Sequence, residues 1–135
     1  QYTMPPSTDG SWFELYRNML INELGGDGLL FIGQAAPRAW LGGGKSLTIR
    51  RAPTYFGPVN VRIESSAAAD MISASVEFVG KRRPSTLRIR LRHPDRRALR
   101  SVTVNGAAWH DVDAVKEWMQ ISDPTADLYT VVAHY

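Results

Sequence analysis

The stretch Lys45–Ser65, KSLTIRRAPTYFGPVNVRIES, is the one whose reading decides the fold class. Leu47 and Ile49 alternate with Thr48 and Arg50, and after the Pro53, Gly57 and Pro58 punctuation Val59, Val61 and Ile63 alternate with Asn60, Arg62 and Glu64. Successive side chains on a strand point to opposite faces. Each run therefore predicts a strand with one apolar and one wet face, and the Pro/Gly segment predicts the bend between them.

The same signal recurs downstream. Met71–Val79 places Ile72, Ala74, Val76 and Phe78 on one face, and Leu87, Ile89 and Leu91 alternate with Arg88, Arg90 and Arg92 until His93-Pro94-Asp95 ends the run. Val102 and Val104 lead into Asn105-Gly106, the dipeptide that most favours a tight hairpin, with Ala107–Trp109 returning. Glu117–Ile121 predicts a short strand, with a helix over Val115–Gln120 as the alternative, and Leu128–Tyr135 closes the chain as a strand.

Upstream, Leu29–Gln34 predicts a short apolar strand, and Pro37 to Leu41 before Gly42 a single helical turn. Trp12, Leu15, Tyr16, Met19 and Leu20 recur at helical spacing between a Ser11/Glu14 capping box and Gly25-Gly26, which predicts an amphipathic helix over Trp12–Leu24. Gln1–Gly10, rich in Pro, Ser and Asp, predicts a linker. About eight strands with short turns and no long intervening helices argue for an antiparallel β-sandwich with one N-terminal amphipathic helix.

Composition bounds the function. The chain has 135 residues, enough for one domain with a real core, a formal charge of +3, and no cysteine, so disulfides and thiolate metal sites are excluded. No apolar run approaches the roughly 20 residues that span a bilayer, so no membrane partner is expected. A start at Gln1 rather than Met suits a domain cut from a longer chain, and a signal segment could precede it.

The arginine row is the most conspicuous chemical feature. Arg88, Arg90 and Arg92 share one strand face, flanked by Lys81, Arg82, Arg83, Arg96, Arg97 and Arg100. Such a stripe suits phosphates or an acidic polysaccharide. The simpler reading, which we favour, is a solvated outer face paired across strands with Glu64, Glu77 or Asp95. No RNA-binding aromatic signature accompanies the row, so nucleic acid is not expected. Trp40, Tyr55, Phe56 and Trp109 lie near turns, where aromatics stack on sugar rings or, more commonly, fill the ends of a sandwich core.

His93, His110, His134 and the run His110-Asp111-Val112-Asp113 fit no metal-ligand spacing, so no metal or other cofactor is expected. No carboxylate pair is placed to face another across a cleft, and no G-x-S-x-G elbow occurs, so no catalytic residues are assigned.

The run APRAWLGGGKSLTIRRAPTYFGPVNVRIES, followed by LRIRLRHP and SVTVNGAAW, resembles the C-terminal β-sandwich of large bacterial glycoside-hydrolase-like proteins, in which the sandwich follows an α/α-barrel catalytic domain. Within it WFELYRNMLINEL resembles the last barrel helix. The resemblance implies a jelly-roll-like accessory domain over residues 28–135, residues 1–27 being the end of the preceding domain. It further implies a periplasmic or extracellular setting and an upstream catalytic domain of the same polypeptide as partner, with the acid and base carried there. A structural role and a glycan-binding role both remain open. The candidate glycan contacts are Trp40, Tyr55, Trp109, Arg88, Arg90 and Arg92.

Overall fold

The computed structural model describes residues 19–24, 28–38, 42–66 and 70–135. Among the described residues eleven strands form two sheets. The five-stranded sheet takes β1 (Ile21–Leu24), β2 (Leu29–Ile32), β6 (Thr86–Arg90), β10 (Trp118–Ser122) and β9 (Val112–Asp113) in that spatial order. The six-stranded sheet runs β3 (Ser46–Ala52), β4 (Val59–Ser65), β5 (Met71–Phe78), β11 (Leu128–His134), β7 (Ser101–Val104) and β8 (Ala107–Trp109).

All neighbouring pairs are antiparallel except β2 with β6, which run parallel with Phe31 opposite Arg88 and Ile32 opposite Ile89. The expectation of a wholly antiparallel sandwich is corrected at that pair. A parallel neighbour needs a crossover connection rather than a hairpin, and here β3, β4 and β5 form that crossover as a meander in the opposite sheet.

The inward residues of both sheets make one core. Ile32, Leu87, Ile89, Met119 and Ile121 come from the five-stranded sheet, and Ile49, Val61, Ile63, Ile72, Ala74, Val76, Val102 and Val131 from the other. The burial alternation of β4 and β5 follows their sequence alternation residue for residue. In β3 it does not, for a physical reason. Strict alternation after Leu47 and Ile49 would drive Arg51 into the core. Instead the register shifts between Ile49 and Ala52, and Arg51 takes a left-handed φ of 52° while its N–H donates to Asn60 Oδ1 at 2.7 Å. This bulge turns both arginines out and returns Ala52 to the interior, where it is fully buried.

The N-terminal expectation is corrected over its last four residues, after Met19 and Leu20, which are helical. Ile21–Leu24 is not the end of a helix but a strand, antiparallel to β2, with Ile21 opposite Ile32 and Leu24 opposite Leu29. A four-residue run INEL satisfies either period, and the free edge of β2 offers hydrogen bonds that helix propensity alone does not outweigh. The sheet thus takes in residues before position 28, and Leu20 is fully buried. Trp12, Leu15 and Tyr16 lie outside the described residues, as do Trp40 and most of the helical turn expected around it. Among the described residues no helix is long and apolar enough to cross a membrane.

Candidate ligand face on the five-stranded sheet

Because Leu87 and Ile89 point inward on β6, Arg88 and Arg90 must point outward. On β10 the inward pair Met119 and Ile121 likewise sends Trp118 and Gln120 outward. Register then brings these side chains together, since Arg90 lies opposite Trp118, and Arg88 opposite Gln120 on one side and Phe31 on the other.

The result is a layer of cations on aromatic rings. The Arg88 guanidinium carbon lies 4.2 Å from the Trp118 ring centroid and 5.3 Å from that of Phe31. For Arg90 the distances are 5.0 Å and 5.3 Å. Lys116 Nζ, from the β9–β10 turn, lies 4.9 Å from the same indole. Phe31 meets Trp118 edge-on at 5.3 Å and 82°, and is 1% exposed although it sits on the outer side of the sheet. Each such cation–ring contact contributes about 0.5–2 kcal/mol according to its desolvation.

Hydrogen bonds hold the guanidinium groups in place. Arg88 Nε and Nη2 both donate to Gln120 Oε1, at 3.1 and 3.0 Å, and Arg90 Nη1 donates to the Gln34 carbonyl at 3.0 Å. Arg90 Nε is buried and has no acceptor among the described residues. Burial first, then the neighbouring Arg92, Arg88 and Arg38 charges, push the Arg90 guanidinium below its ordinary range against the pull of Glu117. Among the described residues, none of Arg88, Arg90, Arg92 and Lys116 forms an ion pair.

The pairing expected for the arginine row is therefore corrected. Glu64 and Glu77 lie on β4 and β5, in the other sheet, where Glu64 pairs with Arg62 and Glu77 accepts from Asn60. Asp95 pairs with none of the three arginines. The acid whose charge acts on Arg90 is Glu117, and Arg38 holds it. Arg38 Nη1 lies 3.0 Å from Glu117 Oε2 and also donates to the His93 carbonyl at 2.8 Å, while Nη2 meets Glu117 Oε1.

Of the aromatic candidates among the described residues, Tyr55 follows β3 and Trp109 lies on β8, at opposite edges of the six-stranded sheet. Tyr55 sits at the tip of the Thr54–Gly57 turn, 72% exposed, edge-on to Phe56 and 5.0 Å from the Arg82 guanidinium carbon. Phe56, its neighbour, tucks into the core at 7% exposure. Trp109, on the edge strand β8, packs against the core, and its Nε1–H donates to the Gln120 carbonyl at 2.9 Å, joining the two sheets along one edge. It is a half-buried residue of the seam between the sheets.

Trp118, Gln120, Phe31 and Lys116 escaped the sequence reading. The signal was there for the first two, since inward Met119 and Ile121 demand outward neighbours. Phe31 reads as one more apolar residue in LLFI and needs the β2–β6 register to be placed. No family model matches the chain, and no curated protein matches it.

Proposed function

We propose that this chain is a non-catalytic, jelly-roll-like accessory domain of a bacterial glycoside-hydrolase-like protein, packed against an upstream catalytic domain and working outside the cytoplasm. The observation that carries the reading is the use made of its charged side chains, which hold the fold. Arg38 ties the Glu117 carboxylate to the His93 backbone. Arg83 donates to the Ala126, Gly80 and Arg82 carbonyls at 3.1, 2.7 and 2.9 Å and meets Asp127. A carboxylate locked to a guanidinium is a poor general acid or base, because catalysis requires a group poised to exchange a proton.

The test is the full translated polypeptide together with a hydrolysis assay. Several hundred residues of helical hairpins should precede Gln1, and the 135-residue chain should cleave no glycoside above a buffer blank. A gene product without a preceding domain, or cleavage abolished by Glu117→Gln, would sink the reading. A second reading, glycan binding by the sandwich itself, is favoured by the cations of the outer face, which form no ion pair among the described residues.

A further inference from the structure

Arg88, Arg90 and Lys116 lie on one patch of the five-stranded sheet, Arg92 follows just past the end of β6 where its charge acts on Arg90, and no ion pair neutralises any of the four among the described residues. Three of them crowd a single indole, that of Trp118, with centroid distances of 4.2, 5.0 and 4.9 Å. Asp113 stands opposite Trp118 in register, but its Oδ1 accepts the Lys116 backbone N–H at 3.0 Å and it pairs with none of the four charges. Like charges held this close repel, and the ring quadrupole offsets only part of that cost. Arg90 Nε, beneath this surface, finds no acceptor among the described residues. We infer that this face binds a carboxylate-bearing polysaccharide, whose acidic groups complete the charge balance of Arg88, Arg90, Arg92 and Lys116.

Geometry selects the ligand class. Alternate residues of a strand are about 6.6 Å apart, so the row presents a ladder of cations to an extended polyanion. Guanidinium forks match planar carboxylates in two-point contacts. Gln120, Thr86 and Ser122 lie on the same face and supply partners for hydroxyl groups. A protein partner would need an apolar centre to the patch. Here Phe31 is already covered and the Trp118 indole carries three cations, so a hydrated polyol fits better than an acidic protein surface. The choice of a glycan rests on the carbohydrate-processing reading above, whereas the preference for an anion does not.

The experiment is calorimetric titration of the 135-residue chain with an oligogalacturonate, its fully methyl-esterified counterpart and poly-glutamate. The acid should bind, the ester should not, and affinity should fall about tenfold between roughly 50 and 200 mM salt as counterions are released from a few contacts. Arg88→Gln should weaken binding about tenfold. The exposed turn variant Lys116→Gln, whose folding is not at stake, should weaken it about threefold. Absence of binding, binding that ignores both substitutions, or equal binding of the ester overturns the inference. Poly-glutamate binding as tightly as the uronate overturns the glycan as ligand. None of these results touches the accessory-domain reading, which stands or falls on the translated polypeptide.

Discussion

Arg38 and Glu117, 79 positions apart in the chain, face each other fork to fork, and Arg38 reaches past the carboxylate to the His93 carbonyl. Glu117 holds a left-handed φ of 60°, and its own carbonyl accepts the Leu91 N–H at 3.1 Å. One contact thus fixes the segment after β2, the end of β6 and the entry to β10. The Arg38 and Glu117 side chains are 24% and 14% exposed, between the surface case, near 0–1 kcal/mol, and the buried case, about 3–5 kcal/mol when one partner is lost. Arg38→Ala or Glu117→Gln should therefore cost about 2 kcal/mol in urea unfolding. A double-mutant cycle with no coupling would show that the pair is ornamental.

Tyr135 should give the fold an alkaline limit. Its hydroxyl donates to the Leu91 carbonyl, its ring lies 4.9 Å from that of the buried His93, and burial, with Glu117 adding to it, raises its pKa well above the ordinary value of 10.0. Above that value the unfolded chain releases the phenolic proton and the folded chain keeps it. The unfolded state then binds fewer protons, and stability falls as pH rises. Melting temperature should decline from about pH 10 upward, and Tyr135→Phe should flatten that decline at a cost of about 1 kcal/mol for the lost hydrogen bond. An equally steep decline in the variant would assign the alkaline limit to another group.

Gly33 should tolerate no side chain. Its φ is +77°, and a Cβ built there would stand 2.6 Å from the Arg90 carbonyl oxygen, a backbone atom with little room to yield. Gly33→Ala should cost more than the roughly 1 kcal/mol of a simple left-handed penalty and should disturb Arg90. Wild-type stability with unchanged amide chemical shifts along β6 would contradict this.

Gly106 supplies the contrast. It follows Asn105 in the β7–β8 hairpin with φ of +86°, and nothing lies within 4 Å of a Cβ built there. Gly106→Ala should cost only the conformational term, about 1 kcal/mol, leaving the β8 seam intact. Trp109 fluorescence is the readout, and a shifted emission maximum would show that the hairpin had moved.

Arg83 is a clamp that lysine cannot replace. Its guanidinium serves three carbonyls and a carboxylate, joining the β5–β6 connection to the segment before β11. A lysine ammonium has no planar fork for that arrangement. Arg83→Lys should lose about 1–2 kcal/mol, and a melting temperature unchanged by the substitution would mean that water replaces the bonds without loss.

Most strands were legible because each has a face that must avoid water. The alternations around Ile49, Val61, Val76, Ile89 and Val131 end in burial of those residues, and Asn105-Gly106 turns where its dihedral preferences require. The same local rule placed Arg88 and Arg90 on an outward face. It failed at INEL, too short to separate the two periods, and could not foresee the Arg51 bulge.

By itself the sequence determined which side chains face inward in the regular strands β4, β5 and β6, since there that depends only on period and hydrophobicity along a few residues. Which strands become neighbours was decided by tertiary structure alone. The parallel β2–β6 pairing sets Phe31 beside Arg88, and the β6–β10 pairing sets Trp118 beside Arg90. Those pairings depend on the packing of two whole sheets over a common core. Glu64 and Glu77 were near enough in sequence to seem partners for the arginines, but the chain crosses to the other sheet between them and β6. A charge row can be read from alternation, whereas its neutralisation depends on which carboxylates the fold brings within a few ångströms.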